Sequence, residues 1–105
     1  LAQGLINRMT TKEQYIAILS DFQKKRGTVY GINRLGIFGS VARNEQSAES
    51  DVDIYYEGKA LSLFKIAALK EELETLLHSP VDIVRVRNSM NKLLKRTIKN
   101  EGIYV

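Results

Sequence analysis

A glycine–serine turn between two apolar segments constrains the fold of this chain more than any other feature of the sequence. The region 35–56 has the sequence LGIFGSVARNEQSAESDVDIYY. It begins with a short apolar segment that suits an inner β-strand, and Gly39-Ser40 then leads into a helical start at Val41. A polar loop follows, and a second apolar segment opens with Asp-Val-Asp at Asp51. The region is therefore predicted to form a strand, a turn into a helix, a loop and a second strand.

Asp51 and Asp53 are predicted to project from the same face of the second strand, because side chains at positions i and i+2 share a face. Their Cβ atoms would then lie about 6–7 Å apart, which is two strand rises. Two carboxylates this close repel each other, and burying either one alone is costly. A hard divalent cation with oxygen ligands would stabilise the pair. If the Asp-x-Asp pattern stood alone, a turn aspartate followed by a solvated strand aspartate would be the better interpretation.

Gly39 and Ser40 supply the complementary half of a phosphate-handling site. Glycine allows the backbone to approach an anion closely, and free N–H groups at a helix start attract phosphate. The Ser40 hydroxyl adds one more donor. A phosphate-binding turn that faces a two-carboxylate metal site provides the minimum groups for transferring a phosphorus-centred group.

These two motifs carry a resemblance to a known family. The segment Gly39–Arg43 has the sequence GSVAR, and after six residues the segment Ser50–Ile54 has the sequence SDVDI. Together they resemble the paired motif of the polymerase-β-type nucleotidyltransferases, most closely the minimal branch, whose usual pattern is GSxARG, a short spacer and SDxDL. Asn44 stands where that pattern has glycine, and asparagine also tolerates a left-handed backbone. The rest of the chain is similar to the same family from end to end.

The remaining elements are predicted from apolar periodicity and from residues that begin or end helices. Thr10 with Glu13, or Thr11 with Gln14, can form a capping box for a helix that ends near Gly27. Two further helices are predicted at Ala60–His78 and Ser89–Asn100, and a strand at Val81–Val86. Residues 103–105 are expected either to add a short edge strand or to pack on the core. The residues predicted to face inward are Tyr15, Ile18, Leu19 and Phe22 in the first helix, Leu63, Ile66, Ala67, Leu73, Leu76 and Leu77 in the second, and Leu93, Leu94 and Ile98 in the third.

Asp82 lies inside the β-branched segment Val81–Val86, where strand propensity disfavours aspartate. If this segment pairs beside Asp51–Tyr56 at about 4.8 Å, Asp82 can complete a carboxylate triad. The alternative is a surface aspartate on an edge strand. In the resembling family the third acidic residue lies on the next strand in such a context. This implies that Asp82 binds the second metal ion and helps to deprotonate the attacking hydroxyl.

Three further residues near the motifs have competing interpretations. Arg43 can contact phosphate, brace the turn or be a solvent-exposed helix residue, and the resemblance favours a supporting role. His78 is the only histidine; it lies at a predicted helix end, where the dipole favours it, and we expect it neither to catalyse nor to bind metal. Tyr55 can stack on a base, but packing in the core or at its rim is more common for such a tyrosine.

The net charge of +4 arises from 16 basic and 12 acidic residues, a mild excess that favours direct nucleic-acid binding only weakly. Much of it lies near the C-terminus, at Arg85, Arg87, Lys92, Lys95, Arg96 and Lys99. A solvated helix face is the ordinary interpretation of such a pattern. A docking surface for an acidic partner or for nucleotide phosphates is the alternative.

Length and composition limit the number of domains and the classes of site that this chain can form. With 105 residues, 44% of them hydrophobic and 27% charged, the chain is expected to form one domain over residues 1–105 with a modest core. It has no cysteine, which excludes disulfides and thiolate metal sites. No apolar run approaches the roughly 20 residues that span a bilayer, and no signal peptide is recognisable. We therefore expect a cytoplasmic location and no membrane contact.

The resemblance implies an α/β fold: a small mixed, twisted sheet with helices packed mainly on one face. It also implies attack of a hydroxyl on the α-phosphorus of a nucleoside triphosphate, with release of pyrophosphate. The expected site comprises two Mg²⁺ ions held by Asp51, Asp53 and Asp82, and β- and γ-phosphates held by Gly39 and Ser40, with Arg43 beside them.

The resemblance further implies a partner protein. Stand-alone minimal nucleotidyltransferases resemble the antitoxins of HEPN/MNT toxin–antitoxin pairs, which implies transfer of AMP from ATP to a tyrosine of a helical HEPN toxin. Alternatives are the same chemistry on a small molecule or an RNA end with a separate binding subunit, and a non-catalytic antitoxin that acts by contact. Larger relatives grip base and acceptor with an additional domain, so a partner or a second copy of this chain is expected to complete the site.

Overall fold

The elements of the chain alternate between helices and strands along most of its length. The structure, a computed structural model, describes residues 11–47 and 50–105. Thr10 lies outside these ranges, and so does the predicted Thr10–Glu13 capping box. The elements are α1 (Lys12–Arg26), a 3-10 helix (Gly27–Tyr30), β1 (Ile32–Phe38), α2 (Gly39–Ala42), β2 (Val52–Gly58), α3 (Leu63–Leu77), β3 (Val81–Arg85), α4 (Lys92–Glu101) and β4 (Ile103–Tyr104).

The four strands form one mixed sheet in the order β3-β2-β1-β4. β1 lies antiparallel to both β2 and β4, whereas β2 and β3 are parallel. A parallel pair needs a crossover connection, and α3 provides it. Both expectations for residues 103–105 are met, since β4 pairs with β1 through Gly36 and Ile37, and Ile103 and Val105 pack against the core.

The two faces of the sheet bury different helices. On one face α1 and α3 pack against alternate residues of the central strands, including Leu35, Ile37 and Ile54. On the other face α4 covers a smaller cluster made of Phe38, Tyr55, Met90 and Ile98. The predicted fold, a mixed sheet with helices mainly on one face, is confirmed. None of the helices in the described ranges combines the length and apolar character that crossing a bilayer requires.

α1 begins with the predicted capping box between Thr11 and Gln14, in which each side chain accepts from the other residue's backbone N–H. The helix ends at Arg26, as expected from the glycine that follows. Gly27 itself keeps a right-handed backbone and starts the 3-10 helix. The left-handed residue that redirects the chain into β1 is Gly31, with φ 66°.

α3 is shorter than predicted and faces the core with a different set of residues. Ser62 caps its first turn and His78 ends it with φ 53°. The buried residues are Leu69, Leu73 and Leu77, with Ile66 partly buried. The predicted inward positions Leu63, Ala67 and Leu76 are wrong, because all three are exposed, Leu63 to 85%. The side of α3 that packs on the core therefore carries Ile66, Leu69, Leu73 and Leu77 rather than the predicted set.

α4 also starts later than predicted, since Asn91 caps it and its side chain accepts from the backbone N–H groups of Leu93 and Leu94. Leu94 and Ile98 pack on the sheet as expected. Leu93 was predicted to face inward, and this is wrong, because 71% of it is exposed. Adjacent helical residues lie about 100° apart, so Leu93 and Leu94 cannot both face the sheet.

Candidate active site

Gly39 joins the end of β1 to α2 in a conformation that suits glycine. Its φ is 73°, a left-handed value that costs other L-residues free energy. A Cβ atom built here would lie 3.1 Å from Cγ and 3.3 Å from Cβ of Asp53, and it would overlap the Asp53 carboxylate. The turn predicted from Gly39-Ser40 therefore places its backbone directly against one of the predicted metal-binding carboxylates.

Asp53 lies at the centre of the site, with a strand neighbour on each side. It is paired with Phe38 on β1, the residue before Gly39, and with Asp82 on β3. Neighbouring strands lie about 4.8 Å apart, and directly paired residues project to the same face. The predicted pairing of the Asp82 segment beside the Asp51–Tyr56 segment is confirmed, and Asp82 lies on the same side of the sheet as Asp53.

The three carboxylates differ in their exposure. Asp53 is half-buried, whereas Asp51, just before β2, and Asp82 are exposed. Burial raises the pKa of Asp53, the charges of Asp82 and Asp51 raise it further, and the positive charge of Arg43 lowers it. Within the described ranges no hydrogen bond or ion pair engages the Asp53 carboxylate. The site therefore concentrates negative charge, which Arg43 offsets only in part.

This donor set fits a hard divalent cation. Carboxylate oxygens are the ligands that Mg²⁺ prefers, and Mg²⁺ is held by one or two carboxylates together with substrate phosphates rather than by a complete protein cage. In residues 11–47 and 50–105 no group of three or more His, Cys, Asp or Glu side chains forms a ready-made cage. The unneutralised carboxylate of Asp53 beside Asp51 and Asp82 is the arrangement that a metal–phosphate ligand would complete.

Ser40 begins the first turn of α2 and is partly exposed. Its backbone carbonyl accepts from the N–H of Glu45 at 2.8 Å. Its hydroxyl has no hydrogen-bond partner among the residues that the structure describes, so it can donate to a bound group. Asn44, where the family pattern has glycine, has φ 59°, which is the left-handed conformation that the sequence suggested for it.

Arg43 connects the turn to α4. Its Nε donates to Glu45 Oε1 at 2.7 Å, and its Nη1 donates to Glu101 Oε2 at 2.8 Å. This arrangement matches the predicted bracing of the turn, while its charge still reaches Asp53. Glu101 was not singled out in the sequence, since it lies 58 residues from Arg43 and no local pattern links the two.

We expect the variants Arg43→Ala and Glu101→Gln to lower nucleotidyl transfer by similar factors, about 5–10-fold each, since both release the same brace and small displacements of catalytic groups are costly. Steady-state kcat/KM measures this. Arg26→Ala is the matched control, because Arg26 also forms an exposed ion pair with a glutamate of another helix, Glu72. A loss in Arg43→Ala with unchanged activity in Glu101→Gln would instead assign Arg43 a direct phosphate contact.

Tyr55 and His78 occupy structural positions. Only 1% of Tyr55 is exposed, its ring packs edge-on against Phe38 and Tyr104, and burial raises its pKa to about 12. The expectation that it packs in the core is confirmed. His78 closes α3 with a left-handed backbone, at the helix end where the sequence placed it.

Comparison with known proteins identifies the family. Residues 13–105 match the family described as polymerase beta nucleotidyltransferase. The chain belongs to this family. The recognition made from the GSVAR and SDVDI motifs is thereby confirmed, and the chain is a nucleotidyltransferase.

Two relatives of this nucleotidyltransferase are named as protein adenylyltransferases. A candidate protein adenylyltransferase from Methanocaldococcus jannaschii is 47% identical over 77 residues, which are 72% of this chain and 82% of the relative. The protein adenylyltransferase MntA from Thermococcus cleftensis is 36% identical over 98 residues, which are 92% of this chain and 98% of the relative.

Solved structures share the fold. A candidate minimal nucleotidyltransferase superimposes with a TM-score of 0.67 at 31% identity, covering 90% of this chain and 95% of the other. A toxin–antitoxin crystal structure with AMP-PNP gives a TM-score of 0.66 at 25% identity, covering 90% of this chain and 72% of the other.

Proposed function

We propose that this nucleotidyltransferase is a Mg²⁺-dependent antitoxin that transfers AMP from ATP to a tyrosine hydroxyl of a helical HEPN-type toxin. The observation that carries the proposal is the position of Asp53, between the Gly39 turn that ends one neighbouring strand and Asp82 on the other. Among the described residues, none forms a hydrogen bond or an ion pair with its carboxylate. Relatives named protein adenylyltransferases support AMP as the group transferred.

The three carboxylates have two roles in this proposal, which are to bind the metal ions and to accept a proton. Asp51, Asp53 and Asp82 hold the Mg²⁺ ions, and bound Mg²⁺ supplies positive charge for the phosphate oxygens of the substrate and the transition state. Asp82 is accessible to an incoming acceptor, since it lies on the edge strand β3 and is exposed. It accepts the proton of the attacking hydroxyl.

The Gly39-Ser40 turn binds the β- and γ-phosphates of the nucleotide in this proposal. The backbone N–H groups at Gly39 and Ser40 and the Ser40 hydroxyl donate to the β- and γ-phosphates. The acceptor oxygen forms a bond to the α-phosphorus, the bond from that phosphorus to the oxygen bridging to the β-phosphorus breaks, and pyrophosphate leaves. In this proposal the partner supplies the acceptor hydroxyl and closes the site over the carboxylates.

Incubation with ATP labelled at the α-phosphate, Mg²⁺ and the HEPN-type protein tests the proposal. We expect label on a tyrosine of the partner and none from ATP labelled at the γ-phosphate. Label on a small molecule or on RNA would replace the proposed acceptor. Formation of a stable complex without any label would assign the chain a binding role instead.

A further inference from the structure

The exposed face of α4 carries an unusual concentration of positive charge. Lys92 lies three residues before Lys95 and four before Arg96, and Lys99 lies four residues after Lys95 and three after Arg96, so the four share one side of the helix. All four are exposed. No ion pair within the described ranges involves any of them. Like charges at this spacing destabilise a helix, so this face is adapted to something other than stability.

A groove lies between this helix and the sheet. It has a volume of about 310 Å³ and a mainly apolar lining, to which Val86, Ile98, Tyr104 and the side chains of Lys95 and Lys99 contribute. On the outer side the four cations line a shallow depression. Leu93, 71% exposed, projects from the same helix. Apolar surface and positive charge therefore occur together along the length of α4.

We infer that α4 and the groove beneath it form the docking surface for an acidic segment of the acceptor protein, one that carries apolar side chains between its carboxylates. This inference rests on the proposed function only in taking the acceptor to be a protein. Charge complementarity selects the acidic residues, which pair with Lys92, Lys95, Arg96 and Lys99. The apolar side chains of the segment fill the groove and cover Leu93.

The surroundings of Tyr104 argue against RNA as the occupant. Sequence-tolerant binding of single strands uses free aromatic faces on which bases stack. The Arg34 guanidinium lies over the Tyr104 ring at 4.9 Å from its centroid, the Tyr55 ring packs edge-on at 5.2 Å, and the Tyr104 hydroxyl donates to Glu57. Of the described aromatic residues that line the groove, Tyr55 is only 1% exposed and Tyr104 already has Arg34 over its ring. An apolar groove also adds nothing to the binding of a phosphate backbone.

The position of α4 suits delivery of an acceptor. Ile98 packs with Tyr55, which shares its face of the sheet with Asp53. The last residue of α4, Glu101, is paired with Arg43, four residues after the Gly39 turn. A segment bound along α4 therefore lies on the catalytic face of the sheet and is connected to the turn through this ion pair.

Charge reversal tests the inference on the whole chain. Lys95→Glu/Lys99→Glu is compared with Lys24→Glu/Lys70→Glu, a matched control with the same change in net charge at two exposed helix positions. Affinity for the HEPN-type partner is measured by titration calorimetry in the Asp53→Asn background, at two salt concentrations. KM for ATP and for the partner is measured in the active background, and circular dichroism checks that each variant is folded.

We expect the α4 reversal to weaken partner binding and to raise the KM for the partner, each at least about 10-fold relative to the control. The KM for ATP should not change, and the effect on partner binding should be weaker at high salt.

Equal effects of the two reversals would overturn the docking surface while leaving the proposed function intact. A rise confined to KM for ATP would assign the cations to nucleotide phosphates, and loss of binding to an 18-nucleotide RNA would assign them to RNA. Absence of transfer and of complex formation in the wild type would overturn the proposed function and this inference together.

Discussion

The variant Asp53→Asn is expected to lose nucleotidyl transfer by at least about 10³-fold, since a metal ligand at this position stabilises the transition state by several kcal/mol. The same variant is expected to be more stable than the wild type at neutral pH without metal. Asparagine keeps the shape of aspartate and removes the charge that is half-buried beside Asp51 and Asp82.

The stability effect follows from the direction of the pKa shift. The pKa of Asp53 is raised in the folded chain above its ordinary value of 3.8, so the folded state binds this proton more tightly than the unfolded state. The contribution of Asp53 to the free energy of unfolding is therefore most favourable below pH 3.8 and declines as the pH rises through the folded-state pKa. Above that pH the ionised carboxylate lowers the free energy of unfolding by a constant amount, and Asp53→Asn removes this destabilisation.

Thermal unfolding at several pH values measures this effect. Tm of Asp53→Asn should exceed that of the wild type at pH 7 in the presence of a chelator, and the difference should shrink at acid pH. Mg²⁺ at 100 times its dissociation constant should stabilise the wild type by about 2.7 kcal/mol, which corresponds to a rise in Tm on the order of 10 °C, and should stabilise Asp53→Asn far less.

Asp21→Asn is the matched control, because Asp21 is an exposed aspartate on α1 whose neighbour is Lys25. It should leave transfer and the Mg²⁺ response unchanged. A Tm of Asp53→Asn below that of the wild type at neutral pH would contradict the interpretation of Asp53 as a metal ligand without an ion-pair partner. A rise in Tm with Mg²⁺ as large as in the wild type would contradict it as well.

The central part of the site could be predicted from sequence because its signals are local. Gly39-Ser40 between a strand and a helix, and Asp53 at alternate spacing from Asp51, each limit the backbone within a few residues. Asp82 was identifiable because aspartate is unexpected in a β-branched segment. The structure places Asp82 in register with Asp53, and the left-handed backbone suggested for Asn44 is also present.

What could not be predicted depends on contacts between distant parts of the chain. Leu63 and Leu93 lie on helices with apolar periodicity, but the position of each helix over the sheet decides which apolar residues are covered. The placement of each helix over the sheet cannot be read from the sequence alone. The pairing of Arg43 with Glu101 and the groove beneath α4 arise in the same way, because α4 packs on the sheet against residues such as Phe38 and Tyr55 that are distant from it in the sequence.

Substitution of Gly39 by alanine is expected to lower kcat/KM by at least about 10²-fold, since displacement of a catalytic group by about 1 Å can cost that much. The added Cβ would overlap the Asp53 carboxylate and push it from the position between the turn and Asp82. It would also impose left-handed strain of about 1–2 kcal/mol. Strain alone could lower activity by loosening the fold, so the two effects must be separated.

Gly31→Ala separates them, because Gly31 has nearly the same backbone conformation, with φ 66° against 73° for Gly39. Gly31 lies at the opposite end of β1, about 26 Å away at the usual strand rise. A Cβ there would meet the side chain of Lys59, 2.9 Å from its Cβ and 3.3 Å from its Cδ, rather than a carboxylate. Both variants should lose similar stability in thermal unfolding, and only Gly39→Ala should lose transfer. Equal losses of activity in the two variants would show that backbone strain, and not the contact with Asp53, is what glycine relieves at position 39.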